Sequence, residues 1–456
     1  MERGRRKYSF ALRVFCKSEK GGGITMEVAA PRGTQDILPE SADWWQQVET
    51  AAREVARRFN FKEIRTPMFE HTEVFARGVG ETTDIVEKEM YTFMDKGGRS
   101  LTLRPEGTAG VVRAYIEHKL YGVSPLQKLY YIGPAFRYER PQAGRYRQHH
   151  QFGLELMGSS DPAADTEIIG CTIAFYRQFG LKDLEVRLNS IGCPSCRPVF
   201  REALINKLKS RKDALCTTCV ERLERNPLRL LDCKNPDCQA QMQDLPKTID
   251  FLCPECREHF DKVRRYLELK GIKYVLDSAL VRGLDYYTRT VFEIVYRGLG
   301  AQDAMCGGGR YDGLIETLGG PPTPGVGVGI GLERLILTLE KQKVYQPQIK
   351  PLEVFLVACG EKEREQAVEL AYRLRSYGLS IDFDFMGRAM KAQLKAADRS
   401  GAVVAVIIGE EELRSEAVIV KNMRDGTQQN VPLLDIDTAL TSIIMGQKTA
   451  RRGGKG

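Results

Sequence analysis

The sequence predicts an α/β chain: a mixed core, a small module inserted into it, and a separate C-terminal α/β domain. Three observations carry that expectation. Between about Pro31 and Lys341, helical and strand-like stretches alternate with glycine-rich turns. Eight of the twelve cysteines crowd into the segment from Cys193 to Cys256. A proline-containing stretch, YQPQIKP from Tyr345 to Pro351, then separates the core from a second run of alternating elements.

A length of 456 residues accommodates about two or three domains at the usual ~150 residues each. The reading assigns 29–345 to the core, interrupted by a cysteine-rich insertion at 193–270, and 351–438 to the C-terminal domain. In that last domain EVFLVA, SIDFDF, AVVAVIIG and AVIVKNM read as strands, with helices from Glu361 to Tyr377 and through KAQLKAADRSG. Residues 439–456 form a basic tail, whose end GQKTARRGGKG is expected to be disordered. Residues 1–28 are expected to be a disordered N-terminal extension, with Met26 the alternative first residue of the functional chain.

Composition narrows the class without naming a function. Apolar residues at 42% and charged residues at 28% are ordinary for a folded chain and exclude a disordered or fibrous one. A formal charge of +8 suits a polyanionic partner, because clustered Lys and Arg displace counterions from phosphates. The longest apolar run, Gly401 to Gly409, falls well short of the ~20 residues of a membrane helix. Arg13 interrupts the apolar stretch that a signal peptide would need. With no secretion signal, paired cysteines point to a reducing compartment, the cytoplasm, and to metal ligation rather than disulfides.

Four segments carry candidate chemistry. In LTLRPEGTAGVVRAY, from Leu101 to Tyr115, an alternating strand runs into a polar loop and a helix start, so that Glu106 and Thr108 offer a carboxylate and a hydroxyl to a small cation. The plain alternative is an ordinary helix start with Glu in its first turn. From Tyr130 to Gly158, two strand-like runs flank a basic loop holding Arg137, Arg140, Arg145 and Arg147. Such a density is costly to pack and suits phosphates, to which Arg donates in bidentate fashion. On the returning strand Gln151 and Glu155 share a face, since side chains alternate along a strand. Taken singly, the glycine-rich GGGRYDGL reads as a turn and GVGVGIG as a strand packed too closely for side chains. Fourth, CPSC, CTTC, CKNPDC and CPEC contain Cys193 and Cys196, Cys216 and Cys219, Cys233 and Cys238, and Cys253 and Cys256. The two-residue spacing of CPSC and CPEC lets one tight turn aim both sulfurs at one tetrahedral ion, and Cys233 with Cys238 is the loosest pair; all eight are candidate ligands of structural Zn²⁺. Which pairs combine is not readable from spacing.

Taken in order, the segments resemble the histidyl-tRNA synthetases. FRYERPQAGRYRQHHQFGLE is similar to motif 2 of that family, VRGLDYYTRTVFE (Val281 to Glu293) and GGGRYDGL (Gly307 to Leu314) to its two histidine signatures, and GVGVGIGLERL (Gly325 to Leu335) to class II motif 3. Motif 1 is the loosest match, in FKEIRTPMFEHTEVFARGVG with Pro67 at its end. The likeness runs from RGTQDILP at Arg32 to about Leu434 and departs at His149, where the family more often has Phe.

The resemblance implies a class II synthetase core on an antiparallel sheet, a C-terminal anticodon-binding domain, a homodimer joined through motif 1, and ATP with Mg²⁺, L-histidine and tRNA(His) as partners. It implies Arg137 and Arg282 as catalytic residues on opposite sides of the α-phosphate, Arg137 also meeting the histidine carboxylate, and Arg334 on the γ-phosphate. Glu106, Gly107, Thr108 and Gln151 would surround the α-amino group, with Glu155 and Tyr287 at the imidazole and Tyr286 beside them. Gln142, Arg145 and Arg147 would face the tRNA acceptor end. The rivals are a catalytically silent paralogue, such as a regulatory subunit of ATP phosphoribosyltransferase, and a zinc-stapled nucleic-acid-binding module. The first would be expected to lack signature arginines and the C-terminal domain, and the second leaves the histidine pocket unexplained.

Overall fold

A computed structural model describes residues 29–80, 83–233, 235–242, 244–299, 303–347 and 351–453. The expected N-terminal extension, 1–28, lies outside the described residues. The chain divides into two units, Met1–Pro347 and Gln348–Gly456.

In the first unit, amphipathic spacing builds the helices that cover the sheet. Pro39–Arg58 turns Trp45, Val48, Ala52, Val55 and Ala56 inward at three- and four-residue intervals, with Pro at its start and Arg57 and Arg58 at its negative end. Pro162–Arg177 begins at Asp161, whose carboxylate accepts from the Ala163 amide at 2.7 Å. Together with Leu332–Gln342 and Pro254–Leu269, these helices pack on one face of an eight-stranded sheet and enclose the principal core.

That sheet is antiparallel through its middle. The strands Gln127–Phe136 and Gln148–Met157 form a hairpin, followed in space by Gly325–Gly331, Ala304–Arg310, Thr288–Val295 and Glu185–Ser190, with short parallel strands Lys62–Glu63 and Tyr274–Leu276 at the two edges. Period-two alternation explains the glycine runs. In Gly325–Gly331, Val326, Val328 and Ile330 point into the core, which leaves Gly327 and Gly329 on the other face. Gly327 pairs with Glu155 and Gly309, and Gly329 with Gly153 and Gly307. Directly paired residues share a face, so the center of the sheet presents a floor nearly free of side chains.

The second unit holds a five-stranded sheet in which Ile381–Phe383, Val354–Ala358 and Val404–Ile408 run parallel and Ala417–Asn422 and Gln428–Pro432 antiparallel. Buried on both faces, Val404–Ile408 is uniformly apolar, as parallel strands are. Gln428–Pro432 escapes sequence reading because QQNVP exposes all but one residue.

Two boundaries differ from expectation. The boundary at 439 falls inside one helix, Ile436–Gly453, which also covers the described part of GQKTARRGGKG; Ile436, Leu440 and Ile444 recur every four residues and bury in the core of the second unit. The insertion is also shorter than 193–270. Phe260, Val263 and Leu267 belong to the principal core, whereas Phe200, Leu204, Leu208, Leu215, Leu223 and Leu230 gather around their own small cluster. Among the described residues, no helix is long and apolar enough to cross a membrane.

Candidate active site

The glycine floor is ringed by the residues singled out in the sequence. Glu155 stands on it, fully buried, between two hydroxyl donors: Thr108 Oγ1 at 2.7 Å and Tyr311 Oη at 2.8 Å. Burial pushes its carboxyl up to about 8, against the pull of both hydroxyls, so it is a proton carrier at neutral pH. A Cβ on Gly327 would collide with this carboxylate, which is why only glycine serves opposite it.

Glu106 lies just before the helix rather than in its first turn. Its carboxylate accepts the amides of Thr108 at 2.6 Å and Ala109 at 2.8 Å and caps the helix Thr108–Glu117. Burial nevertheless raises its pKa, so a charge here draws on Arg137 nearby for compensation. The cap therefore fixes Thr108 against Glu155, and through Gly107 it shapes the wall of the same pocket.

Arg282 enters from the facing segment. It pairs with Glu293, the last residue of its own signature, and its guanidinium lies where a Cβ on Gly307 would be. Burial opposes its charge, yet Glu293 and the two neighbouring tyrosines hold its pKa above the ordinary arginine value. Tyr286 and Tyr287 pack against each other with tilted rings at 4.7 Å between centroids, and Tyr286 meets Tyr311 edge-on at 5.9 Å. Gln151 lies on the same face as Glu155, with its Oε1 buried and, among the described residues, without a hydrogen-bond partner.

The motif 2 hairpin supplies the second arginine. Arg137 donates through Nε to the Pro105 carbonyl at 2.8 Å, tying the hairpin to the loop of Glu106. Arg145 pairs with Glu139, and the backbones of Gln142 and Arg145 bridge each other across the turn. Arg147 covers the ring of Tyr138 at 3.9 Å, and its backbone amide donates to the Gly33 carbonyl at 2.7 Å, so this arginine holds the loop against RGTQDILP. Arg334, in the first turn of Leu332–Gln342, donates to the carbonyls of Ala304 and Gly144 and so reaches the loop from below. His149, the departure from the family pattern, is half-buried near Arg137, His150, Arg334 and Arg145; desolvation first and those charges second push its imidazole down to about 3, so it stays neutral.

A site that brings a buried, protonatable carboxyl together with guanidinium groups on one sheet floor can hold a heteroaromatic base and stabilise an anion. A family profile for histidyl-tRNA synthetases matches residues 33–335. The chain belongs to the histidyl-tRNA synthetase family. A profile for an anticodon-binding domain matches 353–443 of this family member. It is 53% identical over 419 residues to a histidine–tRNA ligase of Halothermothrix orenii, covering 92% of this chain and 100% of the relative. A histidine–tRNA ligase of Geobacillus thermodenitrificans is 52% identical, over 91% of this chain and 98% of its own. The crystal structure of apo histidyl-tRNA synthetase from S. aureus superposes with a TM-score of 0.77 at 40% identity, covering 91% of this chain and 100% of that one. The fold is that of a class II synthetase with an anticodon-binding domain.

Sequence reasoning missed several members of the site. Tyr311 and Glu293 stood inside quoted motifs, but nothing local tied either to Glu155 or Arg282. Glu333, in the motif 3 helix, receives the His150 amide at 2.8 Å and its Nδ1 at 2.9 Å, fixing the returning strand. Arg310, fully buried, pairs with Asp165 and donates to the Ser159 carbonyl at 2.8 Å. Its place beside Asp312 in GGGRYDGL gave no hint of a partner on a distant helix.

Proposed function

We propose that the chain activates L-histidine with ATP, forming histidyl-adenylate and releasing pyrophosphate, and then transfers histidine to the 3′ end of tRNA(His). The observation that carries this reading is the buried Glu155 carboxyl, held by Thr108 and Tyr311 and raised to about 8, on the same glycine floor over which the Arg282 guanidinium lies at Gly307. ATP enters as its Mg²⁺ complex. A histidine carboxylate oxygen attacks the α-phosphorus while the bond to pyrophosphate breaks, and negative charge grows on the α-phosphate oxygens. No side-chain base is needed, because the attacking carboxylate is ionised at neutral pH. Arg137 and Arg282 flank that phosphate and stabilise the growing charge, and Arg334 meets the γ-phosphate.

Glu155 and Tyr287 recognise the imidazole, with Tyr286 packed beside them. Glu106, the Gly107 backbone, Thr108 and Gln151 line the α-amino end. In the second step the terminal ribose hydroxyl attacks the activated carbonyl and AMP leaves. Gln142, Arg145 and Arg147 on the motif 2 loop face the acceptor end, and the C-terminal unit reads the anticodon. The enzyme works as a homodimer in the cytoplasm. Purified protein with ATP and Mg²⁺ will exchange labelled pyrophosphate into ATP with histidine and with no other standard amino acid. Folded protein that fails to do so overturns the proposal.

A further inference from the structure

We propose that each of the two cysteine clusters binds one zinc ion, and that the two zinc sites grip the segment from Arg282 to Arg289 at its two ends. The fold resolves the pairing that spacing left open: Cys193, Cys196, Cys253 and Cys256 form one cluster, and Cys216, Cys219, Cys233 and Cys238 the other. Within each, the sulfurs lie within 4.8 Å of one another. Tetrahedral Zn²⁺ with bonds of ~2.3 Å sets its sulfurs about 3.8 Å apart, and Cys193 Sγ to Cys196 Sγ is 3.6 Å. All eight are free thiols, far beyond the ~2.05 Å of a disulfide. A single ion fits this span, whereas a four-iron cluster requires a wider cage.

The backbone around the sulfurs is arranged for thiolates. Cys253 and Cys216 each stand at the N-cap of a helix, Pro254–Leu269 and Thr217–Arg225, with Cys256 and Cys219 in the first turns, where unpaired amides and the helix dipole favour a negative sulfur. The Cys253 amide donates to Cys196 Sγ and the Cys216 amide to Cys238 Sγ, both at 3.1 Å.

The plain alternative, cysteines as small core residues, leaves two things unexplained. Between Cys216 and Cys238 the α-helices have only nine and five residues, too short to persist without a staple. Arg197, next to Cys196, has Nε and Nη2 buried with no hydrogen-bond partner among the described residues, and its charge acts on Cys193 and Asp285. Four thiolates on Zn²⁺ carry a net charge of about −2, which such a guanidinium offsets.

Each cluster is joined to one end of the signature segment. Beside the first, Gly192 accepts the Arg289 amide and Ile191 donates to the Arg289 carbonyl, both at 2.8 Å. From the second, Asn226 Nδ2 donates to Asp285 at 3.2 Å and Arg229 Nη2 to the Gly283 carbonyl at 2.7 Å. The same small module holds the neighbouring loop through Arg222 to Asp84 at 2.9 Å and Arg225 to Glu87 at 3.1 Å. The residues between the two anchors include Tyr286 and Tyr287, and Arg282 immediately precedes Gly283. The two ions therefore set the histidine pocket, an inference that rests on the proposed activity for its kinetic readout only.

The test begins with the full chain purified under reductant without added metal or chelator. Elemental analysis is expected to give two zinc ions per chain, with the eight cluster thiols unreactive until the protein is denatured. Cys256→Ser and Cys219→Ser are each expected to lose one zinc and keep the other, and cobalt exchanged into the protein is expected to show the absorption of a tetrahedral thiolate site. In pyrophosphate exchange, Cys219→Ser is expected to lower kcat/KM for histidine by ~10- to 100-fold, the cost of misplacing pocket groups by about an ångström. Zinc-free native protein with eight reactive thiols overturns the proposal, and iron in place of zinc overturns the identity of the ion. A folded Cys219→Ser protein that lacks one zinc yet activates histidine at the parental kcat/KM overturns the grip. If that variant does not fold, the zinc and thiol counts of the parent decide. Two zinc ions in a protein without exchange activity would overturn the ligase reading and leave the sites intact.

Discussion

Glu155 gives histidine binding a pH dependence whose sign follows from proton counting. Burial raises its carboxyl from the usual carboxylate value to about 8, so at pH 7 the free protein mostly carries its proton. Free histidine loses its imidazolium proton at about 6.5. The bound pair of Glu155 and imidazole holds one proton, whichever atom carries it. Between about pH 6.5 and 8 the free partners also hold one, and binding is flat. Above the folded-state value the free pair has lost it, and binding must take a proton up. Affinity then falls tenfold per unit, so at about pH 9 the loss relative to pH 7 is about tenfold, or ~1.4 kcal/mol. Below about pH 6.5 the free pair holds two, one is released, and affinity falls again. Glu155→Gln cannot ionise and lacks the alkaline arm. Histidine's own α-amino group titrates identically against both proteins, so the difference between them is the readout. Isothermal titration calorimetry across this range, in buffers of different ionisation heat, measures affinity and proton uptake together. An alkaline slope of equal size in parent and Glu155→Gln would refute the reasoning.

Three further outcomes are expected. Arg282→Ala should slow histidine activation by ~10²- to 10³-fold with a much smaller change in histidine affinity, measured by single-turnover adenylate formation; parental rates would remove Arg282 from the transition state. Arg310→Met leaves Asp165, 1% exposed, as an uncompensated buried charge, and should cost about 3–5 kcal/mol in urea unfolding of the first unit. A loss under about 1 kcal/mol would mean that water or His259, whose Nε2 lies 3.6 Å from Asp165, already satisfies that carboxylate. Deleting 351–456 should leave pyrophosphate exchange measurable and reduce tRNA charging steeply, because the two units each have their own core; undiminished charging would refute the division of labour.

Much of the site was legible wherever its logic is local. The strand, loop and helix start around Glu106 can be read from LTLRPEGTAG, because capping is decided within four residues. The shared face of Gln151 and Glu155 follows from side-chain alternation alone. The tail was misread for a related reason: its basic end masks the four-residue spacing of Ile436, Leu440 and Ile444, which only the core of the second unit turns into a helix.

By itself the sequence determined the periodicities: glycines alternating with Val and Ile from Gly325 to Gly331, cysteines spaced for tight turns, arginines clustered on a hairpin loop, and a proline-marked boundary between two cores. Each depends on residues a few positions apart, whose geometry the backbone dictates. The tertiary structure alone decided who meets whom. Tyr311 reaches Glu155 from 156 residues away, Arg310 reaches Asp165 from 145, and Cys193 joins Cys253 and Cys256 rather than the nearer Cys216 and Cys219. Strand order and register set those meetings. In an antiparallel sheet, neighbours in space can be any distance apart in sequence, so hydroxyls, charges and thiols acquire their partners, and Glu155 its raised pKa, only when the strands close around the floor.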